Sequence, residues 1–421
     1  MKTVGIIAEY NPFHNGHQYQ LTQAKELAGA DYAVVVLSGD FTQRGTPALV
    51  SKYARCEMAL LGGADLVLEL PVCFSLGSAE YFARGAVTLL DSLGVNALCF
   101  GSECEDLSSL RLAADILYKE PEDYKRLLLQ HQKDGMSFPA ARSLALSEYM
   151  QNTPEKKLST AGVSIEELLQ SPNNILGIEY IKALLMRNST MEIYTLLRQG
   201  AGYLDTFLPD GSFCSALAAR RAIEQGAPLS SLASFLPEDT LHILKRELQM
   251  GFPVTTDDFS SMLFYRLLSL QPQGYTAFAD VSESLSDKIS NSLEQYISFS
   301  QFCEKILKSK DLTYTRISRA LFHILLGITE EFLQTAASLD TACYARILGF
   351  RTASAGLLST LSANHTPLLS KMADAEKLLD SFGSKMLAQD VFASHLYEGI
   401  AAPKTGRTSE HEYRRQIIRL P

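Results

Sequence analysis

The sequence predicts an α/β fold: a Rossmann-like, doubly wound parallel sheet, followed by a mostly helical C-terminal half. Two observations carry that expectation. Four apolar runs, Thr3 to Glu9, Asp31 to Leu37, Ala64 to Leu70 and Val95 to Phe100, are nearly continuous rather than alternating, as strands covered on both faces are. Between them, His17 to Ala28, Lys52 to Leu61 and Ser78 to Leu93 repeat apolar residues with the helical period. Strands alternating with helices build a parallel sheet through right-handed crossovers.

The later elements follow in order. From Leu107 to Gln170 the strands stop and the chain reads helical, including Glu122 to Gln132 and Ala140 to Met150. In SPNNILGIEYIKALLMRN, Ser171 suits a helix cap and Pro172 the first helical position. Met191 to Leu197 then returns to strand, so a first domain over residues 1–205 carries a helical insertion at about 107–170. The Gly/Pro-punctuated stretch Gly211 to Pro253 leads into a second domain, 206–421, expected to be all-helical. Its helices are placed at Phe259 to Leu270, Leu285 to Ile306, Thr315 to Leu326 and Thr341 to Leu348.

At 421 residues with 46% hydrophobic content, the chain is long enough for more than one core. Its 38 basic and 47 acidic residues give a net charge of -9, which argues against a DNA coater and leaves nucleic-acid contact to local patches. Seven cysteines without a C-x-x-C pair suit a reducing cytosol. No window has the roughly 20 apolar residues of a membrane span, so a soluble, cytoplasmic protein is expected.

The first loop holds the chemistry. In IIAEYNPFHNGH, residues 6–17, a proline, a glycine and two histidines separate the first strand from its helix. That junction lies at the carboxyl edge of the sheet, where doubly wound folds bind ligands. Helix N-terminal amides and the helix dipole favour phosphate there. His14 and His17, three residues apart, share one side of the first helical turn. Paired imidazoles can donate to phosphate oxygens as charge moves from an attacked α-phosphorus onto departing pyrophosphate. The alternative is a pair of loop histidines satisfying local backbone groups.

H-x-G-H is the signature of a nucleotidyltransferase superfamily, and longer stretches are more specific. GIIAEYNPFHNGH, SGDFTQRGTPA (38–48), GADLVLELP (63–71), FGSE (100–103), SPNNILGIEYIKAL (171–184), LLRQGAGY (196–203) and TYTRISRALFHILLGI (313–328) together resemble the bacterial tRNA(Met) cytidine acetate ligases. The resemblance runs nearly end to end. It implies a HIGH-type nucleotidyltransferase fold and a ligase that activates acetate with ATP as acetyl-adenylate, releases pyrophosphate, and forms N4-acetylcytidine at the wobble position of elongator tRNA(Met).

By that resemblance, His14 and His17 are catalytic. The ATP loop comprises Ile7, Ala8, Glu9, Tyr10, Asn11, Pro12, Phe13, His14, Asn15, Gly16, His17, Gln18, Tyr19 and Gln20, with Gly101, Asn173, Arg198 and Gln199 as further ATP positions. An arginine at a strand's carboxyl end can fork onto phosphate. Gln43, Arg44, Lys52 and Arg55 form a polar, basic loop and helix face suited to phosphate, acetate or tRNA, or simply to solvent. ATP arrives with Mg²⁺, and Glu9 and Asp40 at strand ends are candidates to hold that ion through water. No dedicated protein metal site is expected. For tRNA, the basic candidates are Arg220, Arg316, Arg319, Arg414 and Arg415.

The chain departs from the superfamily in having no KMSKS or S-T-x-x-R signature after the sheet, with Arg198 as the expected substitute. SESLSDKIS (282–290) also departs from the pattern associated with the family. Three readings stay open from the residues themselves: the tRNA-modifying ligase, a small-molecule adenylyltransferase of cofactor biosynthesis, and a non-catalytic nucleotide or RNA binder.

Overall fold

A computed structural model describes residues 1–104, 106–136, 138–153, 168–169, 171–198, 213–309, 312–361 and 366–421. The expected strands form in the expected order: β1 (Thr3–Ala8), β2 (Tyr32–Ser38), β5 (Leu66–Leu70), β6 (Ala97–Ser102) and β7 (Glu192–Leu197). A short hairpin, β3 (Phe41–Thr42) with β4 (Thr46–Pro47), projects after β2. Helix α1 (Asn15–Ala28) crosses from β1 to β2, α2 (Lys52–Leu61) leads to β5, and α3 (Val72–Ser75) and α4 (Ala79–Ser92) lead to β6. These five strands are parallel neighbours in the order β5-β2-β1-β6-β7.

The apolar runs behave as doubly covered strands should: Ala33 to Leu37 in β2 and Leu66 to Leu68 in β5 are fully buried. Close layer packing explains one glycine. A Cβ on Gly5 in β1 would lie 2.7 Å from the Leu90 side chain of α4. After β6 come α5 (Leu107–Lys119), α6 (Glu122–Lys133) and α7 (Phe138–Asn152), and then α8 (Pro172–Met186), which returns the chain to β7. Strand order reverses between β1 and β6, so the ligand crevice of a doubly wound sheet falls at their carboxyl ends.

The second half is largely helical but not wholly so. The helix expected at Thr341 to Leu348 is instead strand β8 (Ala345–Arg351), antiparallel to β5, with β9 (Leu368–Leu369) and β10 (Ile418–Leu420) beside it. A short apolar run is equally compatible with buried helix and buried strand, and partners distant in sequence decided it. Gly349 admits the last strand: a Cβ there would stand 2.8 Å from the Ile418 carbonyl oxygen.

The single helix expected from Leu285 to Ile306 also ends early, at Ser292, and a new turn starts where Ser298 Oγ accepts the Gln301 amide at 3.3 Å. The expected division near residue 205 lies outside the described residues, and β8 and β10 extend the sheet built by the first half. Among the described residues no helix is long and apolar enough to cross a membrane.

Candidate nucleotide-binding site

The loop after β1 is held from several directions. Tyr10 is buried and takes a left-handed backbone (φ 47°). Phe13 fills the space over Gly62, where a Cβ would come within 2.3 Å of its ring. Asn11 accepts the Leu49 amide on Oδ1 at 2.9 Å, and its carbonyl receives Arg220 Nη1 at 2.6 Å. Arg55, fully buried, donates Nη1 to the carbonyls of Glu9 (2.7 Å) and Ser38 (3.0 Å), Nε to that of Val50 (3.2 Å), and Nη2 to that of Gly39. A guanidinium saturated by strand-end carbonyls fixes the rim of the crevice.

His14 occupies the cap position of α1 in an extended conformation. His17 Nδ1 accepts the His14 backbone N–H at 3.2 Å, so the proton of the neutral His17 ring resides on Nε2. The two rings stack at 3.6 Å between centroids. Burial, with Arg198 and Arg220 nearby, lowers the His14 pKa to about 3; burial, His14 and Arg198 push His17 well below its usual value. Both imidazoles are therefore neutral hydrogen-bonding groups at physiological pH. The helix end offers fewer free amides than the sequence suggested, because Asn15 donates to the Phe235 carbonyl (2.9 Å), and His17 and Gln18 both donate to that of His14 (2.9 and 3.2 Å).

A cleft opens beside this loop. Its floor is Ile7 to Asn11 and Gly101, and one wall carries Phe82, Phe100, Leu176 and Tyr180 with Asn173. The rest is mostly polar, with His17, Gln20, Gln43, Arg44, Arg198 and Arg220 beside Ala216 and Leu217. A second recess shares His17, Gln20, Gly101 and Arg198 with the cleft, adding His14, Gly16, Tyr19, Leu196, Leu197, Phe213 and Cys214. An apolar wall for a base, joined to a cationic and imidazole-lined end for phosphates, suits a nucleoside triphosphate.

Most of the expected ATP residues thus line two adjoining cavities. Pro12 and Phe13 are buried instead, Asn15 is tied to Ser234 and Phe235, and Gln18 is exposed away from both cavities. Gln199 lies outside the described residues. The structure also brings in side chains that local sequence did not signal: Phe82, Leu176 and Tyr180, and behind Asn173 the carboxylate of Glu103, which FGSE contained without advertising a role.

Several basic residues sit elsewhere than expected. Lys52 and Arg55 do not form a solvated face; both are fully buried. Lys52 Nζ reaches Glu69 (2.8 Å), Glu412 (3.1 Å) and Asp40 (3.9 Å). Asp40, expected at a water-bridged Mg²⁺, accepts the Lys52 amide at 2.8 Å and Ser394 Oγ at 3.0 Å inside the protein. Charges so buried require partners: Lys52 takes them from β5, the C-terminal tail and Asp40, and Arg55 from backbone carbonyls.

Arg220, considered for tRNA, lines the cleft. Arg319 is paired with Asp280 (2.9 Å), and Arg415 with Glu398 (3.2 Å) while lying 4.5 Å over the Tyr53 ring. Arg316 and Arg414 are exposed.

Stacked neutral histidines at the switch point of a parallel sheet, beside an arginine-lined cleft, define a nucleotidyltransferase-type nucleotide-binding protein. A family model described as HIGH Nucleotidyl Transferase matches residues 1–412. The chain is 38% identical to the tRNA(Met) cytidine acetate ligase of Acetivibrio thermocellus, covering 99% of this chain and 100% of the relative. It is 39% identical to that of Caldanaerobacter subterraneus subsp. tengcongensis, with 100% of both covered. The crystal structure of Thermotoga maritima TmcAL in its apo form is similar over 100% of both chains (TM-score 0.92, 34% identity), as is the form bound with alpha-thio ATP (TM-score 0.90, 34% identity). The chain belongs to the tRNA(Met) cytidine acetate ligase family.

Proposed function

We propose that this chain is an ATP-dependent acetate ligase that forms N4-acetylcytidine at the wobble position of elongator tRNA(Met). The observation that carries the reading is the stacked His14–His17 pair, neutral and seated where β1 gives way to α1, in a chain related along its whole length to ligases of that name. A carboxylate oxygen of acetate attacks the α-phosphorus of ATP. The new O–P bond replaces the bond to the β-phosphate, and pyrophosphate leaves with the negative charge. His17 Nε2–H, with Arg198 and Arg220, stabilises that charge as it develops, without itself forming a bond to phosphorus. The cytidine N4 amine then attacks the acetyl carbon, AMP departs, and the nitrogen loses a proton to solvent.

Mg²⁺ would enter this reading as the counterion of ATP, supplying charge neutralisation at the phosphates, and Glu9 is the cleft carboxylate that would hold it through water. Among the described residues no three His, Cys, Asp or Glu side chains converge on a metal-sized site, and of Glu9 and Asp40 only Glu9 lines the cleft. In this reading the enzyme works in the cytoplasm, where ATP and tRNA are available.

Incubation with ATP and labelled acetate, with and without elongator tRNA(Met), tests the proposal. Label on a tRNA cytidine is the expected result. Pyrophosphate release that depends on a different acceptor, or binding of ATP without turnover, would replace this reading with a small-molecule adenylyltransferase or a non-catalytic binder.

A further inference from the structure

We propose that Glu103 is a positioning residue for nucleotide selection: it fixes the side-chain amide of Asn173 so that the amide oxygen meets the base, setting a preference for ATP over GTP. The inference rests on ATP being the nucleotide of this cleft, as proposed above.

Glu103 follows β6 directly and does not line the cleft, whereas Asn173, at the start of α8, does. The Glu103 carboxylate takes three bonds from that helix end. Oε2 accepts the Asn174 amide at 3.0 Å, and Oε1 accepts the Asn173 amide at 3.4 Å and Asn173 Nδ2 at 2.6 Å. The junction is closed from the other side, where buried Asn174 Oδ1 accepts Ser102 Oγ (2.7 Å) and the Glu103 amide (2.9 Å). Capping α8 needs only the backbone bonds. The shortest bond to the carboxylate instead goes to the Asn173 side chain.

That bond determines which way the amide points. A carboxylate only accepts, so the atom facing Glu103 is the amide nitrogen, and Oδ1 points away from it. Asn173, Leu176 and Tyr180 recur along one face of α8, and Tyr180 meets the Phe100 ring at 5.6 Å between centroids. A purine against this apolar wall has an edge beside the Asn173 oxygen. Adenine offers its exocyclic amine as a donor there; guanine would oppose the oxygen with a carbonyl, acceptor against acceptor.

The full-length chain is tested by the ATP-to-GTP ratio of kcat/KM in acetate-dependent pyrophosphate release and, independently of turnover, by the ratio of equilibrium affinities. Glu103→Gln presents an amide that both donates and accepts, so it lets Asn173 turn over; Asn173→Ala removes the reading oxygen but leaves the backbone bonds to Glu103. Each is expected to lower the ratio by about tenfold or more, and the double variant to lower it no further than either one. A lower unfolding midpoint with an unchanged ratio would leave Glu103 as a helix cap alone and overturn the inference. Should Glu103→Gln fail to fold, Asn173→Ala decides. A wild-type chain that neither binds nor turns over ATP would overturn the proposed function itself, whereas equal use of ATP and GTP would overturn only the selection by Asn173.

Discussion

His17 carries two jobs in one ring. Its Nδ1 ties down the His14 amide and thereby assigns the proton to Nε2. His17→Ala removes a transition-state donor, so turnover should fall by about 10²- to 10³-fold, while the affinity for tRNA changes by less than threefold on the order-of-magnitude scale of an untouched interface. Equal turnover in the variant would remove this histidine from the mechanism.

The depressed pKa values also make a stability claim. In the unfolded chain both histidines titrate near 6.5, whereas the folded His14 value is about 3 and that of His17 is likewise lowered. Below pH 6.5 the unfolded state therefore binds more protons than the folded one. The pair's contribution is complete above that pH and is lost as pH falls toward 3. Denaturant midpoints measured between pH 7 and pH 4 should drop, and the double variant His14→Gln, His17→Gln should show a shallower drop. Parallel curves would mean that the imidazoles are not held neutral.

Among the elements, the hairpin β3–β4 sets the position of Gln43 and Arg44 at the cleft, and it is fastened to the helix Tyr314–Leu326 by the bond from Ser318 Oγ to the Gly45 carbonyl (2.5 Å). Gly45 has φ 69°, and a Cβ there would lie 2.4 Å from the Arg319 amide nitrogen. Gly45→Ala is thus expected to cost at least about 2 kcal/mol in urea unfolding and to raise KM for ATP; a loss under about 0.5 kcal/mol, the range of neutral surface changes, would contradict this docking. The elements legible in the sequence were those whose signal is local. Strands β1, β2, β5, β6 and β7 announce themselves as apolar runs between helices, and the β1–α1 loop gathers most of its chemistry within a dozen residues. What was not legible depends on distant partners. Arg220 enters the cleft from another element, Lys52 is buried against Glu69 and the distant Glu412, Arg55 against carbonyls of the β1 and β2 ends, and β8 is a strand because β5 and β10 flank it.

At the scale of the whole molecule, the two halves of the sequence are joined through charge as well as through the sheet. Glu412, in the C-terminal tail, is 1% exposed and meets Lys52 at 3.1 Å, Tyr53 Oη at 3.1 Å and Arg346. Burial alone would favour its neutral acid, but Lys52 and Arg346 outweigh that and hold it well below the usual carboxylate range. Glu412→Ala removes a carboxylate that Lys52 and Arg346 share, leaving Glu69 as the close partner of both, and is expected to cost about 3–5 kcal/mol in equilibrium unfolding; an unchanged midpoint would mean that the tail does not dock. Because Asp40 and Ser394 belong to the same cluster, this docking also braces the strand ends that border the cleft. The most direct test of the nucleotide reading is a crystal structure of this chain with a non-hydrolysable ATP analogue. The triphosphate should lie at the β1–α1 junction, with His17 Nε2 within about 3 Å of a phosphate oxygen and the base against Phe100 and Tyr180. A triphosphate bound elsewhere, or both imidazoles turned away from it into the interior, would contradict the mechanism proposed here.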